Sequence, residues 1–324
     1  PRKIEIFEPF GAAFELTKRI LFQPFDVSKW LVIGFAAFLS HFAGGGGGGF
    51  NYNSKFRNAN WSFHSTTHDA VASAAGMPAW ALPLIGLGAI LLILLVLVFM
   101  WLGARGKFIF TDCIVRNRGA IVEPWHEYRH EANSYFLFSL CAAAILLCAL
   151  SVASVPLWFP LLTRGDVPEG IGLLLGLSVL GLVMLIAGVS LSLLLSFMIP
   201  LMYRRRCGAV EAARAALGLV TAHPVPVILY LLFTIVLWLA FAIVSCLTTC
   251  LTCCLTAIPY VGTVIMLPVY VLFRSYLLLF VRQFGADYDV WGAVTAIETA
   301  APPAEAPPLP PSAPPPIDPP PMTT

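Results

Sequence analysis

Charged residues are scarce in this sequence: Asp, Glu, Lys and Arg make up 11% of its 324 residues. A soluble protein carries about 25% charged residues, which cover its surface. Hydrophobic residues make up 59% of the chain, and several apolar runs are long enough to need lipid as their solvent. The scarcity of charge excludes a soluble enzyme, a secreted disulfide-stabilised domain and a disordered protein. The net charge of +2 is too small to indicate nucleic-acid binding. The sequence therefore predicts an all-α, multi-pass membrane protein.

The apolar runs predict a helical bundle with six transmembrane spans. We place them at about 30–46, 80–104, 135–162, 170–203, 225–248 and 260–283. The last two are separated where Pro259 and Gly262 interrupt a run about twice the length of one span. The first is short and contains Ser40 and His41, so by length it could be a re-entrant or buried segment instead.

The distribution of positive charge favours six spans. With both termini in the cytoplasm, all but three of the 19 Lys and Arg residues lie on the cytoplasmic side, the exceptions being Lys55, Arg57 and Arg164. Omitting the first span would move the N-terminal Lys and Arg residues outside and remove this bias. We therefore expect a cell-membrane protein of the bacterial inner-membrane type. Its parts would be a cytoplasmic segment at 1–29, a membrane domain at 30–284 and a disordered, Pro-rich cytoplasmic tail at 285–324.

Three amphipathic stretches precede pairs of predicted spans: Pro9–Phe22, Pro124–Phe136 and Arg204–Ala222. Each alternates apolar with charged residues at helical spacing. Such helices lie in the headgroup plane with the apolar side toward the bilayer. We expect them to contact anionic headgroups.

Acidic residues are missing from the middle of every predicted span. An ion-coupled transporter would be expected to place a carboxylate there, so this absence argues against ion coupling but leaves an uncoupled pathway open. Arg274 is the one charged candidate within a span, close enough to the end for its side chain to reach the surface. Gly188, Ser192 and Ser196 recur at four-residue intervals, which favours close helix packing.

One short stretch of the sequence has the residue spacing of a zinc-binding motif. His126, Glu127 and His130 read H-E-x-x-H, in which two histidines bind zinc and the glutamate activates a water. Glu211 is the candidate third ligand. Against this reading, Arg129 stands at a position that is normally uncharged, and no domain is predicted that could form a substrate cleft. We favour a solvated helix face with no catalytic, cofactor or metal residues, and keep a membrane-bound zinc metallopeptidase as the alternative.

Four cysteines cluster near the outer end of the fifth predicted span. They are Cys246, Cys250, Cys253 and Cys254. A disulfide or a redox sensor would fit an oxidising compartment. Small, weakly polar residues that pack helices together are the favoured interpretation, and the same applies to Cys141 and Cys148 in the third span.

Two segments are predicted to lack a packed core. The outer loop Gly44–Ala79 opens with six consecutive glycines, which indicate a linker. The tail from Ala301 is Pro-rich, with PxxP spacings that could dock a groove-type protein domain. A solvated tail is the favoured interpretation.

Several short motifs carry a family resemblance. They are Phe22-Gln23-Pro24-Phe25, Lys29-Trp30, Arg116-Asn117-Arg118, Pro124-Trp125, Tyr128-Arg129 and the stretch from Pro259-Tyr260 through Phe273-Arg274-Ser275-Tyr276 to Gln283-Phe284-Gly285. The layout resembles six-helix bacterial membrane proteins of unknown function. More distantly, it resembles the membrane domain attached to some glycerophosphodiester phosphodiesterases. The resemblance implies a non-enzymatic membrane module, because the phosphodiesterase activity belongs to a separate soluble barrel.

The sequence thus predicts a non-enzymatic membrane scaffold or lipid-associated module. A zinc metallopeptidase is the first alternative, and an uncoupled channel or transporter is the second.

Overall fold

The computed structural model describes residues 5–42, 81–164, 171–252 and 258–292. Every regular element in these ranges is helical, as predicted. The helices are α1 (Phe7–Phe22), α2 (Val27–Phe42), α3 (Ala81–Val115), α4 (Val122–Glu127), α5 (Arg129–Arg164), α6 (Ile171–Arg205), α7 (Ala209–Ala222), α8 (Pro224–Leu251), α9 (Pro259–Ile265) and α10 (Leu267–Arg282), followed by a 3-10 turn at Ala286–Tyr288. The Gly-rich loop, the tail from Ala301, Cys253 and Cys254 lie outside the described residues.

Four helices are long and apolar enough to cross a membrane. They are Pro83–Val115, Arg129–Pro156, Leu174–Arg205 and Pro224–Leu251. They correspond to the second to fifth predicted spans, which supports the membrane class. The six-span count is not confirmed, because the other two predicted spans form shorter helices.

The predicted first span, 30–46, corresponds to α2. This helix has 16 residues, about 24 Å at 1.5 Å per residue, and is shorter than a hydrocarbon core of about 30 Å. It lies antiparallel to the second half of α3: Lys29 Nζ donates to Asn117 Oδ1 at 2.8 Å near one end, and Gly106 contacts Leu39 near the other. A Cβ at Gly106 would lie 2.6 Å from the backbone carbonyl carbon of Leu39, so this approach requires glycine.

The predicted sixth span, 260–283, is divided into α9 and α10. Met266 separates them with φ −85° and ψ 5°, outside the helical region. Pro268, in the first turn of α10, has no N–H to continue the helical hydrogen bonding. With 16 residues, α10 is too short to cross the hydrocarbon core alone.

The predicted interfacial stretches have different outcomes. Helices form at the first and third, as α1 and α7. The second, Pro124–Phe136, is not one helix, because α4 ends at Glu127 and Tyr128 leaves the helical region before α5 begins. Its apolar face packs inside the protein instead of on lipid, since Tyr128, Ala132 and Tyr135 are buried.

The bundle has two contrasting halves along its axis. The charged half contains residues 103–115 of α3, the turn at 116–118, the end of α6, and helices α4, α7 and α10. Side chains such as Phe108 and Phe197 are fully buried there. In the apolar half, residues 83–96 of α3 are exposed on every side of the helix, and Leu92 is 61% exposed. A helix that is apolar all round needs lipid or protein around it, so the apolar half is the part suited to the bilayer.

The two ends of the helical region are joined in the charged half. The backbone N–H of Glu5 donates to Gln283 Oε1, and Gln283 Nε2 donates to the Glu5 carbonyl, both at 2.8 Å. The neighbouring helices α1 and α10 pack together. This clasp holds the first and last described helices at the same end of the bundle.

Candidate functional site

A buried carboxylate organises the charged half. Asp112 on α3 is fully buried, and Arg116 Nε and Arg118 Nη2 lie 3.1 and 3.2 Å from its two oxygens. The Tyr203 hydroxyl donates to Asp112 Oδ1 at 3.0 Å. Two cations and a hydrogen bond together compensate for the loss of water around the carboxylate. We call the connected ionic residues the Asp112 network: Asp112, Arg116, Arg118, Glu123, Glu127, Arg206 and Glu131.

The local chain geometry explains how two arginines reach one carboxylate. Arg116 follows Asp112 by one helical turn, so their side chains share a face of α3. Asn117 then adopts a φ of 50°, a left-handed conformation that asparagine tolerates and that ends the helix. The reversed chain brings Arg118 back over Asp112, and Arg118 Nη1 also pairs with Glu123 Oε2 at 2.6 Å.

Glu127 connects the network to a second helix. Arg116 Nη2 lies 2.8 Å from Glu127 Oε1, and Arg206, at the end of α6, donates to the same oxygen. Burial lowers the pKa of Arg116, but the Asp112 charge and the Glu127 hydrogen bond outweigh it, and the net shift is upward. The carboxylate of Glu127 therefore joins α4 to the ends of α3 and α6.

An aromatic stack lies beside these ion pairs. The Tyr128 ring stacks on Tyr203 with centroids 4.9 Å apart, and the nearly parallel Phe108 ring has its centroid 6.1 Å from that of Tyr128. The Arg206 guanidinium carbon is 3.9 Å from the Tyr128 centroid, within cation–π distance. Burial raises the pKa of Tyr128 to about 12, so its hydroxyl stays protonated at neutral pH. The stack fills the space between α3, α4 and α6.

The H-E-x-x-H residues do not lie on one continuous helix. His126 is on α4 and His130 on α5, and both side chains are exposed, as is Glu211 on α7. Glu127 is paired with two guanidinium groups. Among the described residues, no three His, Cys, Asp or Glu side chains form a group that could hold a metal ion. The zinc alternative thus has no assembled set of ligands in this part of the chain.

A cavity of about 800 Å³ lies between α2, α3, α5, α6, α8 and α10. This volume is within the range of about 300–1,000 Å³ that is usual for ligand sites. Along α6, the lining extends from Met184 to Ile199, a rise of about 22 Å. Ile199 and Tyr135 are buried at one end, whereas Leu185 at the other is 63% exposed. The cavity is therefore closed in the charged half and opens toward the apolar half.

Two cationic side chains line this cavity, Lys107 from α3 and Arg274 from α10. Lys107 Nζ donates to the Tyr135 hydroxyl at 3.1 Å. Arg274 donates through Nε and Nη2 to Thr111 Oγ1, and its Nη2 is 3.4 Å from the Lys107 carbonyl oxygen, so the guanidinium lies against the turn of α3 that carries Lys107. Neither forms an ion pair with a carboxylate of the described residues. We call this space the cationic cavity.

Three serine hydroxyls in the cationic cavity are satisfied by their own helices, whereas Thr234 Oγ1, which also lines it, is buried without a hydrogen-bond partner among the described residues. Ser40, Ser139 and Ser196 each donate to a backbone carbonyl three or four positions earlier. Many of the remaining lining residues are aliphatic, such as Leu146 and Leu185. The N–H groups still free to donate therefore come chiefly from Lys107 and Arg274.

Sequence reasoning missed the residues that matter most here. Asp112 was passed over, although its four-residue spacing from Arg116 is readable. The predicted second span, 80–104, ends before Lys107, although α3 continues to Val115. The stripe containing Gly188 was assigned to close packing, but a Cβ there would meet no atom within 4 Å, and the stripe lines the cavity.

The described thiols are free and differ in exposure. Cys141, Cys148, Cys246 and Cys250 are exposed on the long helices. They lie on outward faces, so the structure differs from the predicted role of these residues in packing helices together.

Residues 4–286 match the family of unknown function DUF7544. The chain belongs to this family. The match includes the ten α-helices of the described residues, and hence the Asp112 network and the cationic cavity. No curated protein and no solved structure matches the chain. The expected membership of an uncharacterised family is confirmed, whereas the comparisons give no support to a bacterial origin or to a likeness with glycerophosphodiester phosphodiesterases.

Proposed function

We propose that this DUF7544 protein is a non-enzymatic, lipid-associated membrane module. In this proposal the apolar half lies in the bilayer, and the charged half meets the headgroups of one leaflet with both termini in the cytoplasm. The excess of Lys and Arg in the charged half supports this orientation. The clasp between Glu5 and Gln283 supports placing both ends on the same side.

The exposed face of α1 carries this proposal. Phe14, Lys18 and Phe22 follow one another at intervals of four residues, and all three are exposed. Arg19 extends the basic part of this face, while Ala13 and Thr17 on the opposite face are buried. Aromatic rings beside basic groups are suited to the boundary between acyl chains and anionic headgroups. Since α1 is held against α10, this face has a fixed position.

The engagement of Glu127 supports a non-enzymatic role. A general base must be free to reach a water or substrate, whereas this carboxylate is held by Arg116 and Arg206. Within the H-E-x-x-H stretch, Glu127 forms ion pairs between helices and Tyr128 packs in the interior.

The test is the effect of lipid on thermal unfolding of the purified full chain in neutral detergent. We expect phosphatidylglycerol to raise the apparent Tm more than phosphatidylcholine, and salt to reduce this difference because exposed charges are screened. Lys18→Gln with Arg19→Gln should reduce the difference. Glu15→Gln is the matched control on the same exposed face, and it should increase the difference by removing a repulsive charge.

Two results would contradict the proposal. One is an equal effect of both lipids on the wild-type chain and on the Lys18/Arg19 variant. The other is stoichiometric zinc in the purified protein that disappears in His126→Ala, which would favour the metallopeptidase.

A further inference from the structure

We propose that the cationic cavity binds one anionic membrane lipid. Its acidic group would lie between Lys107 and Arg274, and an acyl chain would follow the α6 wall toward the apolar half. The inference rests on the proposed lipid association for its ligand, since the bilayer is the source, but it concerns a different surface from the exposed face of α1.

Charge is the first argument. The cations of the Asp112 network are neutralised by carboxylates, whereas Lys107 and Arg274 have only neutral acceptors among the described residues. A cation removed from bulk water and left unpaired is costly. An anion bound between the two would remove that cost and accept charge-assisted hydrogen bonds.

The unused donors are the second argument. An ammonium group has three N–H donors, and Lys107 gives one to Tyr135. A guanidinium has five, and in Arg274 the Nη1 group donates to no described protein acceptor, while Nε and Nη2 hold Thr111. Several N–H groups on two side chains are therefore available to the oxygens of a phosphate.

The shape of the cationic cavity is the third argument. The lining along α6 rises about 22 Å, more than the roughly 15 Å of hydrocarbon that one leaflet contributes. The wall includes Leu185, Leu195 and Leu146, and the opening lies toward the apolar half. A lipid can enter sideways from the bilayer with its chain in apolar surroundings and its headgroup inward. A free inorganic anion would leave the long apolar wall unused.

The test is native mass spectrometry of the full chain released from detergent after incubation with phosphatidylglycerol or phosphatidylcholine. We expect one phosphatidylglycerol per wild-type chain, retained at high salt because a partly buried pair is screened less than an exposed one. Lys107→Gln and Arg274→Gln should each weaken binding by about tenfold or more, the loss expected for a charge-assisted hydrogen bond. Arg129→Gln and Arg214→Gln, which remove exposed cations outside the cavity, should retain the lipid.

A second pair of variants tests the site without removing charge. At both Gly188 and Gly181 on α6 a Cβ meets no atom within 4 Å, but only Gly188 lines the cavity. Gly188→Leu should fill the cavity and abolish the one-lipid complex, whereas Gly181→Leu should keep it. The apparent Tm of each variant shows whether it is folded.

The outcomes separate this inference from the proposed function. One result would overturn the internal site but leave surface association intact. In it, the Lys18/Arg19 variant loses the one-lipid complex, whereas the Lys107, Arg274 and Gly188 variants keep it. Equal retention of phosphatidylcholine would also overturn it. Inorganic phosphate alone serves as the last probe. If phosphate raises the Tm of wild type but not of Arg274→Gln, and no lipid complex forms, the site takes a free anion and the lipid proposal is wrong.

Discussion

The charged half and the apolar half of this bundle are built from the same long helices, yet they differ in what surrounds them. On α3, Phe108 is fully buried, whereas Leu92, four to five turns earlier, is 61% exposed. The charged half is held by protein contacts between helices, ion pairs and an aromatic stack. In the apolar half, the side chains of residues 83–96 are exposed. Length and apolarity determine where a helix can cross a membrane, while a few polar residues near its end determine how the helices associate.

The largest expected effect is in the Asp112 network. Asp112→Asn leaves Arg116 and Arg118 without their shared carboxylate, and breaking a buried pair costs about 3–5 kcal/mol. Asp287→Asn is the matched control, because its ion pair with Arg205 is exposed and should be worth well under about 1 kcal/mol. Unfolding in a detergent titration measures both. If both variants lose the same free energy of unfolding, the buried Asp112 network is no more stabilising than the exposed pair between Asp287 and Arg205.

A large-to-small pair tests packing directly. Phe197→Ala, in the charged half, should cost about 3 kcal/mol, because a fully buried ring leaves a cavity behind. Leu92→Ala, in the apolar half, should change the free energy of unfolding little, since its neighbours are lipid or detergent. A large loss in the Leu92 variant would show that the apolar half is packed against another protein surface.

Substitutions at two glycines of α3 should give a smaller difference in the free energy of unfolding. Gly106→Ala places a Cβ 2.6 Å from backbone atoms of α2, and such overpacking costs about 1–3 kcal/mol. Gly88→Ala meets no atom within 4 Å, and the variant should be as stable as wild type or slightly more stable. The same titration checks both. Tolerance of alanine at Gly106 would mean that α2 does not lie where the structure places it.

The smallest effect concerns pH at an exposed member of the network. The hydrogen bond from Arg118 lowers the pKa of Glu123 in the folded state. A depressed folded pKa stabilises the fold above the unfolded pKa, and this stabilisation is lost as the pH falls through the folded value. Glu123→Gln should therefore lower the Tm slightly at pH 7 and make no difference in strong acid. A difference that grows in acid would contradict this assignment.

The four long helices could be predicted because continuous apolar runs have few alternative structures. Their ends could not: the second span was ended at Ala104, whereas α3 continues to Val115. Charged residues mark where a membrane ends, but the backbone hydrogen bonding continues beyond that point. Asp112 and Tyr203 form a hydrogen bond although they are 91 positions apart in the sequence, and local spacing carries no information about such a contact. Small residues such as Gly188 fit either a tight interface or a cavity, so pattern alone could not distinguish the two.

The clasp between Glu5 and Gln283 has a consequence for how the protein is made. Glu5 and Gln283 are 278 positions apart in the sequence. Helix α1 packs against α10, which is far from it along the chain. At about 5–20 residues per second, roughly 15–55 s of synthesis separate the two segments. During that interval α1 has no α10 to cover Ala13 and Leu21, so these apolar side chains lack their final packing partner. Helix α10, the last α-helix of the described residues, therefore completes the packing of α1.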